Sequence, residues 1–131
     1  MVAYSFKSEF VRPIVTGEKR QTIRAGRRRH VRPGEVMQLY YGMRTKACYL
    51  VGTAVCASIW PISIDVTNVL IEYADTRLKG RQALDDFARS DGFPDWSGMR
   101  NFWIENHGPH EGPWTGLLIR WHGFAAATAD A

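Results

Sequence analysis

The chain has 131 residues, 45% of them apolar and 23% charged, with a net charge of +4. That is the size of one domain, able to bury roughly two-thirds of the surface its unfolded chain exposes, and the proportions are those of an ordinary globular protein. No stretch approaches the about 18 apolar residues of a membrane helix and no signal-peptide run opens the chain, so the expectation is a soluble, cytoplasmic protein with no membrane partner.

The charge is unevenly spread. Between residues 18 and 32, Lys19, Arg20, Arg24, Arg27, Arg28, Arg29 and Arg32 face one acid, Glu18, for a local net of +6; the rest of the chain sums to −2. A patch of this kind suits an anionic partner docking at one place, or it is a solvated basic loop. Cys48 and Cys56 have no CxxC spacing, and two buried thiols are expected rather than a disulfide.

In chain order, "AYSFKSEF" reads as a first strand. "EFVRPIVTG" gives one or two helical turns, with Phe10, Ile14 and Val15 on a shared face and Gly17 as the stop. "RQTIR" alternates, placing Ile23 toward the core and Thr22 and Arg24 together on the other side. After the turn signal "RPGE", "VMQLYYGM" reads as a strand with Met37, Leu39 and Tyr41 opposed to Gln38 and Tyr40. "ACYLVGTAVCASIW" predicts a long strand with Tyr49, Val51, Val55 and Ile59 on one side, a bulge at Gly52 and an end at Pro61; "TNVLIEY" predicts another. Two helical segments follow. Leu84, Phe87 and Ala88 mark the first, with Asp91 close to the same face; Met99, Phe102, Trp103 and Asn106 mark the second, between a capping Asp95 and Gly108. "WTGLLIRWHG" closes the set as a strand with Thr115, Leu117, Ile119 and Trp121 aligned. The order predicts an α+β fold: a small β-barrel or curled sheet carrying helices, as a single domain over residues 1–124 with a flexible tail at 125–131.

Three groups of residues have chemical potential. Thr22 beside Lys19 can act as a nucleophile with its base if the lysine amine loses its proton readily, and Arg24 can hold a phosphate or an oxyanion. Equally, the three form a polar sheet surface. Asp91, on the apolar side of its helix, either caps the following turn or faces a crevice as a proton shuttle. Tyr40, Tyr41, Arg44 and Lys46 interleave rings and cations in a way that suits unpaired bases and phosphates, and Lys46 with Tyr40 can form an acid–base pair for RNA cleavage. His30, His107, His110 and His122 make no metal-binding motif, and there is no P-loop, dinucleotide fingerprint or GxSxG. No cofactor and no metal is called for.

The outline made by Gly17, Lys19, "TIR" at 22–24, Pro33-Gly34, "LYYGMRTKAC", "SDGF" at 90–93, the aromatic helix at 99–103 and "GLLIRW" resembles the ASCH domain family of the PUA-like superfamily, over residues 4–122. The resemblance implies a PUA-like β-barrel with helices packed around it and a cleft beside it. It also implies an RNA-associated protein, with RNA or a modified nucleoside as partner. Some small members deacetylate N4-acetylcytidine with a lysine, a threonine and a glutamate; Lys19 and Thr22 match the first two. Asp91 stands for the third, one methylene shorter. Others cleave single-stranded RNA. On this outline Arg24, Arg27, Arg28, Arg29, Arg32 and Arg44 are the phosphate-binding candidates, and Tyr40 and Trp103 the base-stacking ones. The leading expectation is an RNA-binding protein acting on single-stranded RNA, with a metal-independent ribonuclease built on Tyr40 and Lys46 as one form of it. The alternatives are an N4-acetylcytidine amidohydrolase and a non-catalytic regulatory or protein-interaction module.

Overall fold

Val2, Tyr4 and Phe6 alternate with Ala3 and Ser5, and β1 (Val2–Phe6) buries the first set. The computed structural model describes residues 1–108 and 112–127. After a 3₁₀ turn at Ser8–Phe10 it runs through α1 (Val11–Thr16), β2 (Gln21–Arg24), β3 (Val36–Tyr41), β4 (Tyr49–Asp65), β5 (Leu70–Tyr73), β6 (Thr76–Leu78), α2 (Arg81–Ser90), α3 (Trp96–His107) and β7 (Trp114–Ala126). The fold is α+β, with the strands in one mixed seven-stranded sheet.

β4 is the spine of that sheet. β3 pairs antiparallel with its first part, from Tyr41↔Tyr49 to Val36↔Val55, and β5 with its end, from Ile62↔Tyr73 to Asp65↔Leu70. β7 follows the opposite edge from Ile64↔Trp114 to Gly52↔Ala126. β1 lies parallel to β3, β6 antiparallel to β5, and β2 antiparallel to β7. The expected bulge falls beside Gly52, where the register against β3 shifts between Leu39 and Tyr40.

Pro61 does not end β4, which continues to Asp65. The edge away from β7 carries no strand between Val55, the last residue paired to β3, and Ile62, the first paired to β5, so the missing proline N–H removes no ladder bond there. β6 escaped the sequence reading because three residues carry too little periodicity.

Residues 125 and 126, expected in the tail, belong to β7. Ala125 and Ala126 pair with Thr53 and Gly52, and the Ala127 N–H donates to the Val51 carbonyl at 2.9 Å. Gly52 permits this closeness: a Cβ there would fall 2.6 Å from Phe124 Cε1. Residues 128–131 of the expected tail lie outside the described residues.

The helices follow their predicted faces with small departures. Leu84, Phe87 and Ala88 of α2 and Met99 and Trp103 of α3 are buried, while Asn106 is exposed and accepts from Lys7 Nζ at 2.7 Å. Asp95 Oδ1 accepts from the Gly98 N–H at 2.9 Å, the expected cap. In α1 only Ile14 is buried; Val15 is 50% exposed, since six residues offer one inward stripe. In β7, Leu118 and Ile119 are both fully buried, so that strand is covered on both faces rather than one. Cys56 is buried, whereas Cys48 is exposed in the β3–β4 turn; both are free thiols. Among the described residues no helix is long and apolar enough to cross a membrane.

Candidate functional site

β2 is short and three of its four residues are polar, yet Gln21 and Thr22 are buried. Lys19, at its entrance, is 3% exposed, Gln21 1%, Thr22 4%, and Asp91, at the end of α2, 4%. Four buried polar side chains in one place run against the usual sorting of residues, because an unpaired buried polar group costs stability. Each has partners here. Lys19 Nζ donates to the Asp91 backbone carbonyl at 2.5 Å and stands 3.8 Å from Asp91 Oδ1. Gln21 Nε2 donates to that same Oδ1 at 3.4 Å. Arg24 Nε donates to Thr22 Oγ1 at 3.1 Å, and its Nη2 to the Ser5 carbonyl at 2.8 Å.

Lys19, Thr22, Arg24 and Asp91 line one cavity of about 280 Å³. Its walls are aromatic. Phe10, Phe93 and Phe102 pack with centroids 5.2–5.4 Å apart, and Trp103 meets Trp114 edge-on at 4.9 Å. Phe6 completes the side next to β1, and His107 joins the two tryptophans at 4.6 and 5.3 Å. The Trp103 indole N–H is buried, with no acceptor among the described residues.

The electrostatics follow from the burial. Lys19 has lost its water, and this loss, together with the repulsion of Arg24, outweighs the attraction of Asp91, so its pKa falls from 10.5 to about 8. The Phe10 ring, 4.8 Å from Nζ, offsets part of that cost. Burial likewise raises the Asp91 carboxyl, against the pull of Lys19, Gln21 and Arg24. Arg24 is pushed down to about 10 by desolvation and stays charged at neutral pH, its guanidinium 4.8 Å from the Phe6 ring.

The sequence pairing of Thr22 with Arg24 on one face is present, and Lys19 and Asp91 join them. Of the two readings of Asp91, the crevice describes the residue: Asp91 lines the cavity beside Lys19, and its carboxyl also accepts from Gln21 behind the wall. The Asp91 carboxyl stands 3.8 Å from Lys19 Nζ, and it is the Asp91 main-chain carbonyl that accepts from that amine. Trp103 also lines the cavity. Tyr40 does not; it lies on the side of β3 opposite the buried Met37 and Leu39. Lys46 and Arg44 are exposed in the β3–β4 turn, and among the described residues no hydrogen bond joins Tyr40 to Lys46.

The basic stretch after β2 is fastened to β1 rather than loose. Tyr4 Oη lies 2.8 Å from His30 Nδ1 and accepts the Val31 N–H at 3.2 Å. His30 Nε2 lies 3.0 Å from the Ala25 carbonyl, which can only accept, so the proton is assigned to Nε2 and Tyr4 donates to Nδ1. Arg27 stacks 4.4 Å from the Tyr4 ring and donates to the Ala3 and Arg29 carbonyls. Arg28 and Arg32 are exposed, and the Arg29 guanidinium makes a surface pair with Glu35 at 3.8 Å. Ala25 is the point at which this loop borders the cavity.

The sequence reading missed Gln21 and the phenylalanine walls. Gln21 had a signal: it shares the parity of Ile23, so the alternation that sends Ile23 inward sends an amide inward too. Phe10 and Phe93 read as ordinary core residues. His110 lies outside the described residues, and His122 is exposed. Among the described residues no three His, Cys, Asp or Glu side chains gather as metal ligands. No family model matches this chain, and no curated protein or solved structure matches it.

Proposed function

We propose that the cavity is the active site of a hydrolase that removes an acyl group from the exocyclic amine of a nucleobase, with N4-acetylcytidine as the model substrate. The observation that carries this reading is the convergence of Thr22, a lysine with a lowered pKa and a buried carboxyl in one aromatic-walled cavity. About 280 Å³ suits a single base or nucleoside, and aromatic walls suit its faces.

In this reading the neutral Lys19 amine takes the Thr22 hydroxyl proton as Thr22 Oγ1 attacks the acyl carbonyl carbon. The carbonyl π pair moves to oxygen, and Arg24, already within hydrogen-bond distance of Oγ1, stabilises that charge. Collapse breaks the C–N bond, and the departing amine nitrogen receives a proton relayed through Lys19 and Asp91. Water then cleaves the threonine ester, releasing the carboxylic acid. Proton transfer requires heavy atoms about 2.6–3.2 Å apart, a distance that apo sites often reach only with substrate bound.

The same proposal takes the chain as an ASCH-type protein acting inside the cell, its sheet being the PUA-like barrel of that family. The strand order and the cavity beside β1 and β2 support it. Arg28, Arg29 and Arg32, exposed on a loop that borders the cavity, support a substrate carried within RNA. The ribonuclease form loses its geometric support, because Tyr40 and Lys46 stand away from the cavity and from each other's hydrogen-bond reach.

The test is incubation of purified protein with N4-acetylcytidine, free and within a short single-stranded RNA, with chromatographic separation of products. Cytidine release that disappears in Thr22→Ala is expected. Intact acetylcytidine in both forms after prolonged incubation sinks the proposal, and shortened RNA instead would move the chemistry elsewhere.

A further inference from the structure

Gln21 and its cross-strand neighbour Arg120 look away from the cavity, on the face of β2 and β7 opposite Thr22. There they help line a second recess of about 420 Å³, together with Arg20, Ser58 and Ser90. Two arginines and two serines enter it, and no carboxylate does. Neither arginine belongs to an ion pair among the described residues, whereas Arg29, Arg77, Arg81 and Arg89 each find an acid.

Both guanidiniums are held in place while keeping donors to spare. Arg20 Nη2 donates to Ser90 Oγ at 3.2 Å, and the Arg20 backbone N–H to the Ser90 carbonyl at 2.9 Å. Arg120 Nε donates to Gln21 Oε1 at 3.3 Å and Nη2 to Tyr73 Oη at 3.0 Å, with the Tyr73 ring 4.9 Å from its Cζ. A guanidinium carries five N–H donors, so each retains several. Two like charges sharing a recess repel unless an anion sits between them, and a planar fork matches phosphate oxygens.

We propose that this recess is a phosphate-binding site, formed by Arg20 and Arg120 with the Ser58 and Ser90 hydroxyls, separate from the acyl-hydrolase cavity. It stands independently of the activity proposed for that cavity. It is nonetheless joined to it, because Arg120 holds the Gln21 carbonyl and so turns the Gln21 amide N–H toward Asp91 Oδ1. A phosphate drawing on Arg120 acts on the orientation of that amide.

The experiment is a titration of the full chain with inorganic phosphate, followed by two-dimensional NMR of backbone amides and arginine Nε–H groups. A parallel titration uses a short single-stranded oligonucleotide with only internal phosphodiesters. Saturable shifts at Arg20, Ser58, Ser90 and Arg120 are expected, spreading to Gln21, with affinity reduced about tenfold or more in Arg20→Gln. Arg20 is exposed, so this variant keeps the fold. Arg120→Lys, which retains charge but not the fork, is expected to weaken binding as well. Saturation by phosphate alone assigns the site to a phosphate monoester or free phosphate; saturation by both assigns it to a strand passing over the recess. Shifts confined to residues 25–32, or shifts that never saturate, overturn the proposal.

Discussion

Lys19 is expected to destabilise the protein at neutral pH, and the cost should vanish as the pH rises. The unfolded chain keeps its Lys19 proton up to about pH 10.5, whereas the folded chain releases it near 8. Between those values the unfolded state binds more protons, so unfolding free energy rises with pH; below 8 the full penalty is present. A proton held that much less tightly corresponds to about 3 kcal/mol, and the side chain is 3% exposed, so solvent screening takes little of it away. The perturbation is Lys19→Met, which keeps a long unbranched side chain against Phe10 and removes the titration. Urea unfolding followed by tryptophan fluorescence, repeated from pH 7 to 10, gives the two stability curves. The wild type should gain about 2–3 kcal/mol on the variant between pH 8 and 10. Other groups titrate in that range, but they are common to both proteins and cancel in the difference. Parallel curves would refute the reasoning, since they would mean that Lys19 titrates alike in the folded and unfolded chains.

The same titration governs rate: kcat/KM for N4-acetylcytidine should climb about tenfold per pH unit below 8 and level off above it, as the neutral amine accumulates. A rate already flat from pH 6 to 9 contradicts Lys19 as the base. Gly92 stands at φ +96°, and a Cβ there would sit 2.9 Å from Lys19 Cδ and 3.1 Å from Phe10 Cδ1. Gly92→Ala should therefore cost about 1–3 kcal/mol in urea melts and lower turnover by displacing Lys19. Asp95→Ala removes the α3 cap and should cost about 1 kcal/mol while leaving kcat unchanged, which separates loss of stability from loss of chemistry.

Much of the fold was legible because its signals are periodic. Met37, Leu39 and Tyr41 announce β3, and Leu84, Phe87 and Ala88 announce the buried face of α2, since periods of two and 3.6 leave their marks on any such run. Pro61 misled because the cost of a proline depends on whether a neighbouring strand needs its N–H, and that is decided by where β3 ends and β5 begins. Ala125 and Ala126 read as tail because a small apolar run has no local signature; it pairs only because Gly52 lets the chain cross closely. The site divides in the same way. Lys19, Thr22 and Arg24 were legible from six residues of sequence. Tyr40 and Lys46 were drawn together by proximity along the chain; the alternation of β3 turns Tyr40 from the cavity, and Lys46 is exposed in the β3–β4 turn.

Asp91 and Gln21 show why the polar cluster is better explained by function than by folding. A core that merely needed to be stable would fill these positions with apolar side chains, because replacing a buried ion pair by packed hydrophobic residues is often neutral or stabilising. Here a lysine, an amide, a hydroxyl and a carboxyl are buried together, and each has at least one hydrogen-bond or ionic partner. The arrangement holds Lys19 in its protonated form less tightly than water would and Asp91 in its ionised form less tightly, so both depart from their ordinary values toward neutrality. Two groups displaced in that sense, lining one cavity with a hydroxyl, are suited to moving a proton near neutral pH. Local conflict with the rules of core packing is therefore what singles this cluster out as the candidate site, and Gln21, an amide on the inward parity of β2, carries that conflict in the sequence itself.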